Sequence, residues 1–139
     1  MKLYAINPAQ LDMYWGAVEP FIALAMDFSP FEDVQTVYDA LDKEQAQLWV
    51  IWDRGKIVAA VVTRLEITKT GNYCNIWACA GKGFAHWVHL IREIEDWARK
   101  EGCTAIYETG RPGLARKLKQ LGYKPTHIRL EKALPNVAR

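Results

Sequence analysis

From Tyr73 to Gly102 the chain reads as one unit: an apolar strand over Tyr73–Cys79, a turn at Gly81-Lys82-Gly83, and a long helix closed by Gly102. Trp87, Leu90, Ile91, Ile94, Trp97 and Ala98 recur at three- and four-residue steps and make one apolar stripe. Arg92, Glu93, Glu95, Asp96, Arg99 and Lys100 take the other face, and Gly102 stands at the usual C-terminal position. The next run, Thr104–Thr109, is short and strand-like. The helix is therefore a crossover, and the strands it joins are expected to be parallel neighbours. A glycine turn at the C-terminal end of a strand, opening a crossover helix, is where α/β sheets bind ligands. A helix start exposes about four unpaired backbone N–H groups and roughly half a positive charge. The spacing thus predicts an anion site, suited to a phosphate, at Gly81, Lys82 and Gly83.

The flanking sequence completes a single domain over residues 1–139, long enough for a core without disulfides or metals. Lys2–Ile6 alternates as an edge strand would. Asn7-Pro8 reads as a cap with Pro in the first helical turn, opening a helix over Ala9–Met26 that Pro20 is expected to kink or split. Ser29-Pro30 repeats the cap signal ahead of Val34, Val37, Tyr38 and Leu41, which share a helical face ending near Asp42. Leu48–Trp52 and Ile57–Ile67 are β-branched and aromatic, with a hairpin turn at Asp53-Arg54-Gly55-Lys56. A second turn over Thr68–Asn72 leads into Tyr73–Cys79. Beyond the crossover, Leu114, Ala115, Leu118 and Leu121 stripe one more helix stopped by Gly122, and Thr126–Lys132 alternates as a last strand. The order is β-α-α-β-β-β-α-β-α-β: an α/β (α+β) domain on a mixed, mostly antiparallel sheet.

Charge and cysteines narrow the function classes. A net charge of +2 gives no overall argument for nucleic acid or an anionic membrane. The three cysteines, Cys74, Cys79 and Cys103, form no CxxC pair, and with His86, His89 and His127 they complete no zinc spacing. They read as buried, reduced thiols. The start of the chain lacks the layout of a signal peptide, and no apolar run approaches the ~20 residues of a membrane span. A cytoplasmic protein is expected. From Arg111 onward the chain is basic, with Arg116, Lys117, Lys119, Lys124, Arg129 and Lys132 against Glu131, which reads as a solvated basic face. The aromatic interleaving of a single-strand binder is missing there. Trp49, Trp52 and Trp15 read as core or, if exposed together, as a partner surface; Trp77 is expected in the core and Asn75 paired within the sheet, the alternative being Trp77 lining an acceptor pocket that Asn75 faces.

Element order and turn together resemble the GCN5-related N-acetyltransferase (GNAT) superfamily. Members bind acetyl-coenzyme A with a loop of pattern Gln/Arg-x-x-Gly-x-Gly/Ala between a strand and a long helix. Here Ala80-Gly81-Lys82-Gly83-Phe84-Ala85 matches at Gly83 and Ala85, and Ala80 takes the Gln/Arg place. Many members also carry a Tyr in the last helix, ahead of a Gly-Phe pair, placed to protonate the departing thiolate. Counted back from Gly122-Tyr123, that place is Leu118, and the family's Asn place is Arg111. The short length, Gln47-Leu48-Trp49-Val50 and Gly110-Arg111-Pro112-Gly113 further resemble small GNAT-like proteins of tailed bacteriophages.

The resemblance implies acetyl-coenzyme A held on Ala78, Cys79, Ala80, Gly81, Lys82, Gly83, Phe84 and Ala85, with Arg111 near a phosphate. It implies a general base on the strand after the crossover, where Glu108 follows Tyr107. The implied activity is acyl transfer from the thioester to an amine. The alternative is a non-catalytic GNAT-like interaction or assembly protein, such as a phage virion component, whose partners are protein subunits.

Overall fold

The structure, a computed structural model, describes residues 1–27, 32–109 and 112–135. Five strands form one sheet in chain order, β1 (Lys2–Ala5), β2 (Gln47–Asp53), β3 (Lys56–Thr68), β4 (Gly71–Gly81) and β5 (Ala105–Glu108). The first three pairings are antiparallel and β4–β5 is parallel, as the crossover requires. The β2–β3 hairpin turns on Arg54 and Gly55, both at positive φ (53° and 79°), the backbone that matches the twist of the flanking strands.

Helices cover both faces. On one lie α1 (Leu11–Met26) and α2 (Val34–Asp42), whose Val18, Ile22, Val37 and Leu41 pack on Leu48, Val50, Ala60, Val62 and Ala78. On the other lie α3 (Phe84–Trp87), α4 (Ile91–Lys100) and α5 (Pro112–Lys119). Their Trp87, Ile91, Ile94, Leu114 and Leu118 pack on Trp49, Ile51, Ala59, Val61, Ile76 and Cys79. Burial on both faces explains why the central strands read as continuous apolar runs instead of alternating. Thr63, buried among them, accepts from the Trp49 indole N–H and donates to the Gln47 side chain, both at 2.9 Å. Trp49 is core on the α4 side, and Trp15 and Trp52 pack half-buried on the α1–α2 side.

The structure corrects four expectations. α1 is one continuous helix through Pro20, which is exposed and does not split it. α2 is capped by Asp33, whose carboxylate accepts from the Thr36 N–H at 2.9 Å and from its hydroxyl at 3.0 Å. These bonds hold the Asp33 carboxyl below its ordinary range, the Thr36 backbone bond first; Ser29-Pro30 lies outside the described residues. The crossover helix is three pieces, α3, a 3-10 turn over Val88–Leu90, and α4. Finally, Thr126–Lys132 forms no strand: residues 124–135 are irregular and exposed throughout.

Candidate functional site

Three features of β4 build the site. The first is a bulge. Val62 pairs with Ala78 but Thr63 pairs with Ile76, so Trp77 is an extra residue without a partner on β3. Side chains alternate faces along a strand, yet Ile76 and Cys79, three apart, both face α4. The bulge absorbs the odd step.

The second is a parting. β5 follows β4 only from Tyr73–Ala105 to Ile76–Glu108. From Trp77 to Gly81 the β5-side edge of β4 has no strand beside it among the described residues, while β3 continues to pair on the other side. Backbone donors and acceptors that turn away from β3 along this stretch meet no strand among the described residues.

The third is the turn that ends β4. A Cβ on Gly81 would sit 2.3 Å from the Ala59 Cβ and 2.7 Å from the Val58 carbonyl oxygen, so only glycine lets the strands close here. The ladder then gains one more bond, Lys82 N–H to Val58 O at 2.9 Å. Gly83 turns the chain at φ 66°, ψ 44° with no side-chain cap, and Trp87, fully buried, donates its indole N–H to the Lys82 carbonyl at 2.9 Å. The turn is thus bolted down from inside, with the Lys82 side chain left exposed. Because α3 is a single turn, the predicted anion site rests on loop backbone and lysines, without a long helix behind it. The second lysine comes from α5: Lys117 Nζ lies 5.0 Å above the Phe84 ring. Sequence pointed to Lys117 only as part of a basic face, since the contact joins two segments over thirty residues apart.

Among the other predicted positions, Ala78, Cys79 and Ala80 are buried strand residues, and Ala85 is exposed. Burial pushes the Cys74 thiol up to about 12, so it stays protonated at neutral pH. Leu118 is core, 3% exposed. Tyr123, next to it, gives its hydroxyl to Glu95 at 2.7 Å, and burial first, then Glu95, raises its pKa. Arg111 lies outside the described residues.

At the parting, side chains divide by face. Glu108, half-buried, pairs opposite Ile76 and shares its face. Tyr107 takes the α1–α2 side beside Asn75, which is 5% exposed. There the Tyr107 hydroxyl donates to Glu66, the Trp77 indole N–H donates to Glu32, and Arg64 stacks 4.1 Å from the Trp77 ring centroid and 3.8 Å from Glu32. Burial, then the Glu66 bond, raises Tyr107 to about 12. Glu32, Arg64 and Glu66 carried no sequence signal; Glu32 and Arg64 meet at Trp77, and Glu66 meets Tyr107.

The chain matches no protein-family model and no curated protein. Solved structures do match. A probable acetyltransferase superposes at TM-score 0.69 with 11% identity, covering 97% of this chain and 98% of that one. The fold is the GNAT acetyltransferase fold. Similar to it at TM-score 0.69 are two further enzymes. A ribosomal-protein-alanine N-acetyltransferase from Brucella melitensis biovar Abortus 2308 shows 12% identity over 96% of this chain and 99% of that one. An aminoglycoside acetyltransferase from an uncultured soil metagenomic sample, in complex with sisomicin, shows 11% identity over 96% of each. Full-length coverage at such identities means that the layout of the GNAT fold is kept while nearly every side chain differs. No helix of the described residues is long and apolar enough to cross a membrane.

Proposed function

We propose that the chain is an N-acyltransferase of GNAT type, taking acetyl-coenzyme A and an amine acceptor. The observation that carries this reading is the parting of β4 from β5 after Ile76–Glu108, which leaves residues 77–81 as an open strand edge leading to the Gly81–Gly83 turn. The residues fit the ligand in chemistry and shape. Ala78, Cys79, Ala80 and Gly81 are small and present backbone to an amide-bearing arm. Lys82, the backbone of Gly83, Phe84 and Ala85, and Lys117 supply positive charge and donors for phosphates; Arg111 is the remaining candidate. Bound there, the thioester supplies the activated acyl group.

The chain's own residues position the reactants and handle protons. Glu108, at the last paired position of β5, is the proposed base for the amine. Tyr107, protonated up to about pH 12, is the proposed proton donor in place of the tyrosine that Leu118 does not provide. Trp77, Arg64 and Glu32 line the Tyr107 face of the parting, and Glu108 stands on the other. The test is release of coenzyme A thiol from acetyl-coenzyme A with a panel of amines. Turnover is expected to fall about 10²-fold or more in Glu108→Gln and in Tyr107→Phe. Binding without thiol release for any amine would contradict the enzyme reading.

That outcome would support a second reading, a non-catalytic GNAT-like interaction or assembly protein of the kind the phage resemblance implies. It is favoured by Ala80 and Leu118, each 3% exposed, at places where the family carries polar, working side chains.

A further inference from the structure

At the opposite margin of the sheet, β1 pairs only with β2, and β2 and β3 lie between it and β4. Leu3 packs on the α4 side, so its neighbours Lys2 and Tyr4 face the α1 side together with Trp52, which pairs opposite Lys2. There the chain leaves an open groove of about 630 Å³, within the size range of small-molecule sites. The two strands supply Lys2, Tyr4 and Trp52 to its lining. The 3-10 turn over Pro8–Gln10 supplies Gln10, the first turns of α1 supply Tyr14, and the β2–β3 hairpin supplies Arg54.

None of these side chains is engaged elsewhere among the described residues. Lys2 and Arg54 are exposed and make no ion pair, and no carboxylate lines the groove. The indole N–H groups of Trp49, Trp77 and Trp87 donate within the chain, whereas that of Trp52 has no acceptor. Tyr4, Tyr14 and Trp52 stack on no other ring, and Tyr4 is 46% exposed. Arg54 stands at φ 53° in a hairpin turn where Asn or Asp is the usual residue. The backbone does not ask for arginine there, and its guanidinium stands at the hairpin end of the groove.

Two cations without a counter-charge suit an anion, and an ammonium beside a guanidinium suits a phosphate. Three rings beside them suit a flat, π-bearing group. Lys2 and Tyr4 are two strand residues apart, about 7 Å, the spacing that a ribose sets between a base and its phosphate. We propose that this groove binds a nucleoside monophosphate. Its phosphate lies on Lys2 and Arg54 and its base on the rings of Tyr4, Tyr14 and Trp52. The Gln10 amide and the Trp52 N–H meet the polar edge of the base. The groove is separate from the open edge of β4 and does not rest on the acyltransferase reading.

Calorimetric titration of the full chain with the common nucleoside 5′-monophosphates in turn tests this, with adenosine and inorganic phosphate as separate ligands. Saturable binding of a nucleotide at or below about 1 mM is expected, at least about tenfold tighter than either part alone. Lys2→Gln with Arg54→Asn changes exposed positions and gives the turn a residue that suits it. This variant is expected to stay folded by circular dichroism and to lose at least about tenfold in affinity. Quenching of tryptophan fluorescence by the nucleotide is expected to disappear in Trp52→Phe, and folded Gly83→Trp is expected to bind it as the unaltered chain does. No saturation by about 10 mM of any nucleotide, full affinity in the double variant, or lost binding in folded Gly83→Trp would each overturn the proposal. So would a single-stranded oligonucleotide bound more than about tenfold tighter than the nucleotide, since the groove would then serve a strand.

Discussion

The two glycines that bracket Lys82 look alike in the sequence and do different work. At Gly81 an added methyl meets Ala59 and the Val58 carbonyl, both held in the strand next door, and neither can swing aside. At Gly83 the demand is conformational: φ is 66°, and a Cβ would touch only the His86 ring at 3.4 Å. Gly81→Ala is therefore expected to cost about 3 kcal/mol of stability, in the range of overpacked cores. Gly83→Ala should cost about 1–2 kcal/mol, the penalty of the left-handed region. Urea unfolding of the two variants checks the order, and an equal or reversed loss would contradict it. The sequence pattern singled out Gly83, the family's glycine; nothing in it could show that Ala59 lies opposite Gly81, because register across a sheet is a tertiary fact.

Tyr107 gives a second prediction at this scale. Its phenol is moved from 10.0 to about 12, so the neutral form is favoured in the fold. A group raised in this way contributes stability that is complete below pH 10 and is lost as pH climbs to about 12. Titration by tyrosinate absorbance, as a difference between the chain and Tyr107→Phe, should show one phenol ionising late. A Tyr107 that titrates near 10 would show that neither its burial nor the Glu66 bond holds in solution.

Among elements, the helices and strands that pack through periodic side chains were readable, and those shaped by local exceptions were not. The stripe from Trp87 to Ala98 identified the crossover and with it the parallel pair. It could not reveal the 3-10 turn at Val88–Leu90, because i, i+3 and i, i+4 spacing is satisfied by either helix type over so short a run. The bulge at Trp77 was equally hidden: Ile76-Trp77-Ala78-Cys79-Ala80 is apolar on both faces, so a missed alternation leaves no mark. Pro20 misled in the opposite direction. Its usual meaning as a helix breaker is overridden where α1 packs Val18 and Ile22 on the sheet and leaves the proline outside. The strain should remain measurable. Pro20→Ala restores a donor to the Gly16 carbonyl and is expected to raise stability by about 1–3 kcal/mol. An unchanged or lowered melting temperature would mean that the proline is accommodated without cost.

At the scale of the whole molecule, the strand order and the two-sided core follow from the order of elements, and the solved GNAT structures superpose over nearly its full length. The place proposed for a ligand follows from the same topology, since β4 and β5 are joined by a crossover and then part. What the sequence could not supply is the cast at that place. Lys117 arrives from α5, Glu32 and Arg64 arrive at Trp77, and Glu66 arrives at Tyr107, by packing alone. The last predicted strand, Thr126–Lys132, alternates in sequence but is irregular and exposed in the structure.

The central claim is that the open edge of β4 and its turn hold an acyl-coenzyme A. Calorimetric titration of the chain with acetyl-coenzyme A tests it most directly, with Gly83→Trp alongside and far-UV circular dichroism to confirm that the variant is folded. Saturable binding tighter than about 1 mM, or about −4 kcal/mol, is expected, with at least a tenfold loss in folded Gly83→Trp. No heat at millimolar ligand, or an affinity that Gly83→Trp leaves unchanged, would contradict it.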